Sequence, residues 1–144
     1  MRAPTRAIKL RAERMLAALV LTDRELSIVL CDDATIRALN ARYRRKDAAT
    51  DVLAFAMEEG RAMPETALLG DLVVSLDTAA RQADARGARV LDEVTMLVAH
   101  GLLHLLGFDH RNRKEERRMK ARTDMLVAVA IGPRDGRGGR GPCG

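Results

Sequence analysis

Aromatic side chains are nearly missing from this chain: no Trp, one Tyr and two Phe in 144 residues. Tyr43, Phe55 and Phe108 are too few and too scattered to make a row of rings, which argues against nucleic-acid binding by stacked aromatics. Cysteine is almost as scarce. Cys31 sits in an apolar run and Cys143 in a glycine-rich stretch; two such residues make no disulfide framework and point to a reducing compartment. Long hydrophobic runs are missing too: the most apolar stretch, Val94 to Phe108, is too short to span a bilayer. The first dozen residues are Arg-rich and acid-poor, but no secretory apolar segment with a cleavage site follows them. The expectation is a cytoplasmic protein with no membrane partner. The formal net charge of +5 suits an anionic partner, although an ordinary basic protein has the same composition.

Histidine is also rare, and its placement is informative. All three histidines fall within residues 100–110, as His100-Gly-Leu-Leu-His104-Leu-Leu-Gly107-Phe-Asp109-His110. On a helix, His100 and His104 share one face with Cβ atoms roughly 5–6 Å apart. Gly107 offers a helix stop, because glycine enters the left-handed region without strain. A chain reversing there returns His110 to the other two. Three neutral imidazoles on one side of a metal leave a fourth position for water, the layout of a catalytic zinc site. The duller reading is three satisfied core histidines. The surroundings are so apolar that uncoordinated imidazoles would be costly there, which favours the metal.

The length suits one domain with a real core. Leu10 to Leu21 reads as an amphipathic helix with Met15, Leu16, Leu19 and Val20 as its apolar stripe. Glu25 to Cys31 reads as a strand. Asp32 or Asp33 caps a helix carrying Ile36, Leu39 and Tyr43 on one face. Thr50 to Met57 is a second strand, 58–66 a loop, and Leu68 to Leu76 a third strand with Asp71 inside it. Asp77 caps a short helix that Gly87 ends. The helix from about Val90 to Leu106 is apolar nearly all round and should be buried. A last helix runs from about Lys114 to Ile131, with Glu115 and Glu116 near its start. The expectation is an α/β (α+β-like) domain over residues 1–131, with one small sheet and the metal site on the buried central helix. The Gly/Arg-rich residues 132–144 should form a disordered tail.

The spacing His-x3-His-x2-Gly-x2-His matches the zinc ligands of the metzincin proteases, but Gly101 stands where those enzymes need a glutamate base. A zinc hydrolase remains plausible on the ligand set, with peptide hydrolysis disfavoured. Gly101 within a helix costs roughly 1 kcal/mol relative to Ala, and close approach of substrate or a tight packing contact would each account for it.

The histidine stretch resembles the signature of the YbeY family of bacterial rRNA maturation endoribonucleases. Two further segments are similar to the family's: Leu39-Asn40-Ala-Arg-Tyr43-Arg44-Arg-Lys-Asp47-Ala-Ala-Thr50-Asp51-Val52-Leu53-Ala-Phe55, and Leu69-Gly70-Asp71-Leu-Val-Val-Ser75. The resemblance runs from about residue 10 to 131. It implies a mixed sheet of three to four strands with about four to five helices. It also implies one zinc-like ion on His100, His104 and His110, and cleavage of single-stranded RNA. Maturation of small-subunit rRNA, ribosome quality control, and contact with the ribosome or its small-subunit proteins come with it. Relatives usually carry an extra strand before the first helix, so the sheet here is expected to lack that strand or to carry a stub of it. Ala49, Ala54 and Phe108 replace the proline, serine and tyrosine common in the family.

Arg44 matches an arginine important for activity in the family. A fixed guanidinium suits the negative charge that builds up on phosphoryl oxygens, with Arg45 and Lys46 as further substrate-binding cations. Taken alone, Arg44 reads as a solvated helix-end residue. Asp109, beside a ligand, could carry a proton or orient an imidazole, or simply form a turn. Asp71 and, with weaker support, Asp51 could hold a ligand's far nitrogen. The basic run from Arg111 to Arg122 could follow an RNA backbone or be a wet helix face. Zn²⁺ is the expected cofactor, one per chain, and three imidazoles also suit other transition metals. The competing readings are a peptidase-like zinc hydrolase and a non-catalytic ribosome assembly factor with a structural metal.

Overall fold

A computed structural model describes residues 4–57 and 68–132. Helix α1 spans Thr5–Ala18, a turn earlier than the periodicity from Leu10 suggests. Ile8, Ala12, Met15 and Leu16 form its buried stripe, and Ile8 extends the i, i+4, i+7 pattern backwards through the arginines. Arg11 is part of the packing, bonding Asp92 and Thr95 at 2.9 Å each. The helix also stops earlier than expected. Val20 adopts φ 58° and is 83% exposed, so it is the turning residue and not part of the stripe.

Strand β1 is Glu25–Cys31 and strand β2 is Val52–Ala56. Between them lies α2, Asp33–Arg44, capped by Asp32, whose carboxylate accepts from Thr35 N–H at 2.8 Å. Ile36 is fully buried on α2, while Tyr43 is half exposed with its ring edge-on to Phe55. Strand β3, Leu68–Ser75, leads directly into α3, Leu76–Arg86. The cap of α3 is Ser75 and not Asp77. Asp77 instead accepts the Asp33 N–H at the start of α2 (3.0 Å). Asp33 in turn accepts from Ser75 Oγ (2.6 Å) and Thr78 Oγ1 (2.7 Å) and pairs with Arg81 (2.9 Å). The serine and threonine hydroxyls, joined by Arg81, pull the Asp33 carboxyl down to about 2. The first turns of the two helices, each with its own cap, are thus tied to one another. Gly87 at φ 67° ends α3 as expected.

The sheet order is β1-β3-β2, with β1 parallel and β2 antiparallel to β3. Among the described residues it has three strands and no N-terminal addition, within the expected mixed sheet and five-helix count. Alternation gives the sheet two faces. Leu72, Val74, Val52 and Ala54 join the large core beneath α1 and α4. Val73, Leu53 and Phe55 pack with Ile36 of α2 on the other face.

Helix α4, Val90–Leu105, is the centre of the molecule. Val94, Leu97, Val98, Ala99, Leu102 and Leu103 are at most 2% exposed, so the apolar circumference seen in sequence is buried. Helix α5, Arg113–Ile131, packs on α1 and α4. No helix among the described residues is long and apolar enough to cross a membrane. The expected loop 58–66 and all of the expected tail 132–144 except Gly132 lie outside the described residues.

Candidate metal centre

His100 and His104 occupy successive turns at the C-terminal end of α4, with Nε2 atoms 3.2 Å apart. The helix then breaks. Gly107 takes φ 97°, its N–H bonds the His104 carbonyl, and Phe108 N–H bonds the Leu103 carbonyl, both at 3.0 Å. The 103–108 bond closes a Schellman-type end that requires the left-handed glycine. The returning turn is pinned at three points. Asp109 Oδ1 accepts from His110 N–H (2.7 Å), Glu115 Oε1 accepts from Arg111 N–H (3.0 Å), and Asn112 caps α5 through Glu115 N–H (2.9 Å). These contacts carry the His110 ring to within 5.4 Å of the His104 ring and 5.9 Å of the His100 ring, centroid to centroid.

One ligand atom from each of the three residues lies within 4.8 Å of the others. Two nitrogens about 2.0–2.1 Å from a shared tetrahedral ion stand about 3.3 Å apart, close to the His100–His104 separation. Burial chiefly, and mutual repulsion next, lower the pKa of His100 and His104. Lower pKa values keep both rings neutral, the form that binds metal. No fourth His, Cys, Asp or Glu joins the cluster among the described residues. Cys31 packs with Ile36, Leu53 and Val73 on the far side of the sheet. The donor set therefore fits one ion with a free corner.

The carboxylates divide between the two faces of the sheet. Asp51, just before β2, is close enough to raise the His100 pKa against the effect of burial. Its oxygens accept from Val52 N–H (2.8 Å) and Gln82 Nε2 (3.3 Å). Asp109 acts likewise on His104, though its nearest bond serves the turn. Asp71 pairs with Phe55 in the ladder and shares the parity of Val73. Alternation therefore places it on the α2 face, with the sheet between it and α4.

Arg44, in the last turn of α2, reaches the free edge of β2. Its Nη2 donates to the Ala54 carbonyl (2.7 Å), and its guanidinium carbon lies 4.7 Å from the Phe55 ring centroid. Arg44, His104 and Gly101 line one hollow of about 390 Å³. Arg45, the left-handed C-cap of α2, and Lys46 are exposed beyond it and do not line it. Gly101 is a packing contact: a Cβ there would lie 2.8 Å from Leu72 Cδ2 and 3.3 Å from Val52 Cγ2. Sequence reasoning missed Gln82 and a groove of about 950 Å³ between α4 and α5, walled at one end by His100 and His110. Neither leaves a sequence signal, since both depend on how helices separated in the chain come to lie together.

Residues 4–130 match the Endoribonuclease YbeY family. The chain belongs to that family. Endoribonuclease YbeY of Anaeromyxobacter dehalogenans is 48% identical over 142 residues, covering 93% of this chain and 72% of the relative. The Geobacter metallireducens protein of the same name is 42% identical, with coverage of 82% and 81%. That of Aquifex aeolicus is 49% identical, with coverage of 73% and 69%. The solution structure of TM1509 from Thermotoga maritima superposes with a TM-score of 0.66 at 22% identity, covering 100% of this chain and 93% of that one. That likeness shows the fold of this chain.

Proposed function

We propose that this chain is a metal-dependent endoribonuclease that cuts single-stranded RNA, with one zinc ion held by His100, His104 and His110. The observation that carries the reading is the convergence of three imidazoles with no fourth protein ligand among the described residues. An ion bound there would supply Lewis acidity toward a phosphoryl oxygen and acidify a water molecule. Nickel, copper or iron are chemically admissible on the same donors.

The chain's own residues supply the rest. Burial keeps His100 and His104 neutral and rigid, and the Asp109 turn holds His110 in place. Asp51, anchored by Val52 N–H and Gln82, raises the His100 pKa through its charge. It would orient that ring and hold a proton released nearby. Arg44 faces the same hollow as His104, where its remaining donors would meet phosphate oxygens. Arg45 and Lys46 would attract the strand from the rim.

The proposed substrate is small-subunit rRNA, during its maturation and ribosome quality control, with the ribosome or its small-subunit proteins as partners and the cytoplasm as the compartment. Family membership and the guanidinium of Arg44 in the hollow beside His104 support this. Gly101, in the position of the metzincin glutamate, counts against peptide hydrolysis, and the free corner counts against a purely structural ion. Purified protein is assayed on single-stranded RNA, duplex RNA and casein, with and without chelator. Single-strand cleavage abolished by chelator is expected; cleavage of casein, or activity on no substrate, would overturn the reading.

A further inference from the structure

We propose that the groove between α4 and α5 is a nucleobase subsite, which takes the base flanking the scissile phosphate on the side of the metal centre away from Arg44. The inference rests on the ribonuclease reading above. His104 lines the Arg44 hollow, whereas His100 and His110 line the α4–α5 groove. The triad therefore stands where two hollows meet, and a strand crossing it runs into both.

The chemistry of the second hollow suits a base better than a phosphate. Met96, Met119 and Val127 give it apolar, partly flexible walls. Its charges are largely balanced: Lys120 pairs with Asp124 (3.2 Å), Arg86 with Glu93 (2.7 Å), and Asp92 with Arg11 (2.9 Å). A phosphate trough needs surplus cations; a flat apolar ring does not. Thr123 also borders the groove; it is only 6% exposed, and its hydroxyl oxygen is fully buried behind the wall with no partner among the described residues. A helical threonine ordinarily satisfies that group on the preceding turn, and a buried hydroxyl left unpaired is costly. A polar base edge seated in the groove would satisfy it once the side chains covering it shift aside.

Two variants of the full zinc-loaded chain test this. Thr123→Val keeps the shape and removes the hydroxyl, and Ala128→Trp fills the groove from its exposed rim. Cleavage of a random single-stranded RNA pool, read by sequencing product ends, should show a base preference beside the cut in the parent. Thr123→Val should reduce that preference about five- to tenfold. Ala128→Trp should weaken binding of a cleavage-resistant 2′-O-methyl phosphorothioate tetranucleotide about tenfold, with zinc content and melting temperature as controls on folding. A parent with no base preference, or variants that match the parent in cut profile and affinity, would overturn the subsite. A parent that cleaves no RNA would reject the ribonuclease reading itself. The tetranucleotide titration would then decide the groove alone, and equal affinity for parent and Ala128→Trp would reject it.

Discussion

Gly101→Ala sets two effects against each other at one position. Helix propensity favours Ala by about 1 kcal/mol. Packing opposes it, because the new Cβ would lie 2.8 Å from Leu72 Cδ2 and 3.3 Å from both Leu72 Cδ1 and Val52 Cγ2. Leu72 is fully buried, so its methyl has nowhere to swing, and overpacking of this kind costs about 1–3 kcal/mol. The balance is a loss of up to about 2 kcal/mol, or a melting temperature lower by up to roughly 8 °C. The position also separates metal binding from catalysis. His100, His104 and the turn carrying His110 all move with α4, so zinc affinity should hold. The hollow shared with Arg44 is built from α4 on one side and β2 on the other, so a displaced helix should lower RNA cleavage by roughly tenfold. Thermal denaturation, zinc titration and a cleavage assay measure the three quantities. Leu72→Val in the same chain should recover at least about 0.5 kcal/mol beyond additivity. A variant about 1 kcal/mol more stable than the parent, with full cleavage, would refute the close helix–sheet contact.

Zinc at about a hundredfold excess over its Kd should raise the melting temperature by roughly 5–10 °C, and His104→Ala or His110→Ala should abolish that rise in a thermal-shift assay. Arg44→Ala should keep its zinc by elemental analysis and lose roughly a hundredfold in cleavage rate, with Arg44→Lys in between; full activity without the guanidinium would remove Arg44 from the site. Burial holds His100 and His104 below the ordinary 6.5, so the unfolded chain takes up protons first as pH falls. Stability of the metal-free protein should therefore be constant above about pH 6.5 and decline below it, as denaturant midpoints between pH 5 and 8 would show. Glu93 is 1% exposed and faces Arg86 at 2.7 Å without an aligned hydrogen bond. Arg86→Ala should cost about 1–3 kcal/mol, partly recovered by Glu93→Gln, both measured by chemical denaturation.

Local pattern sufficed wherever one residue type has one physical use. The histidine spacing, the glycines at 87 and 107, the strand Glu25–Cys31 and the apolar circumference of α4 were all readable in sequence. Four features depended on the third dimension. The start of α1 was hidden because Arg6 and Arg11 mask a stripe that only the Asp92 and Thr95 contacts reveal. The cap of α3 was misplaced by two residues because Asp77 serves the neighbouring helix. Asp71 was legible as a carboxylate in a strand, but its face followed only from the register with β2. The nearness of Arg44 to His104 arises because β2 is an edge strand that α2 overhangs and α4 underlies, and no sequence spacing expresses that.

The Asp33 carboxylate gathers Ser75, Thr78 and Arg81, while its own amide leans on Asp77. Residues some forty positions apart in the chain must therefore arrive together before the first turns of α2 and α3 are joined. A fragment cut between β2 and β3 would leave each helix its own cap, Asp32 or Ser75, but would remove the Asp33 and Asp77 contacts that tie the two first turns together. Split-protein complementation with a break between β2 and β3 should accordingly recover structure only when both halves are present.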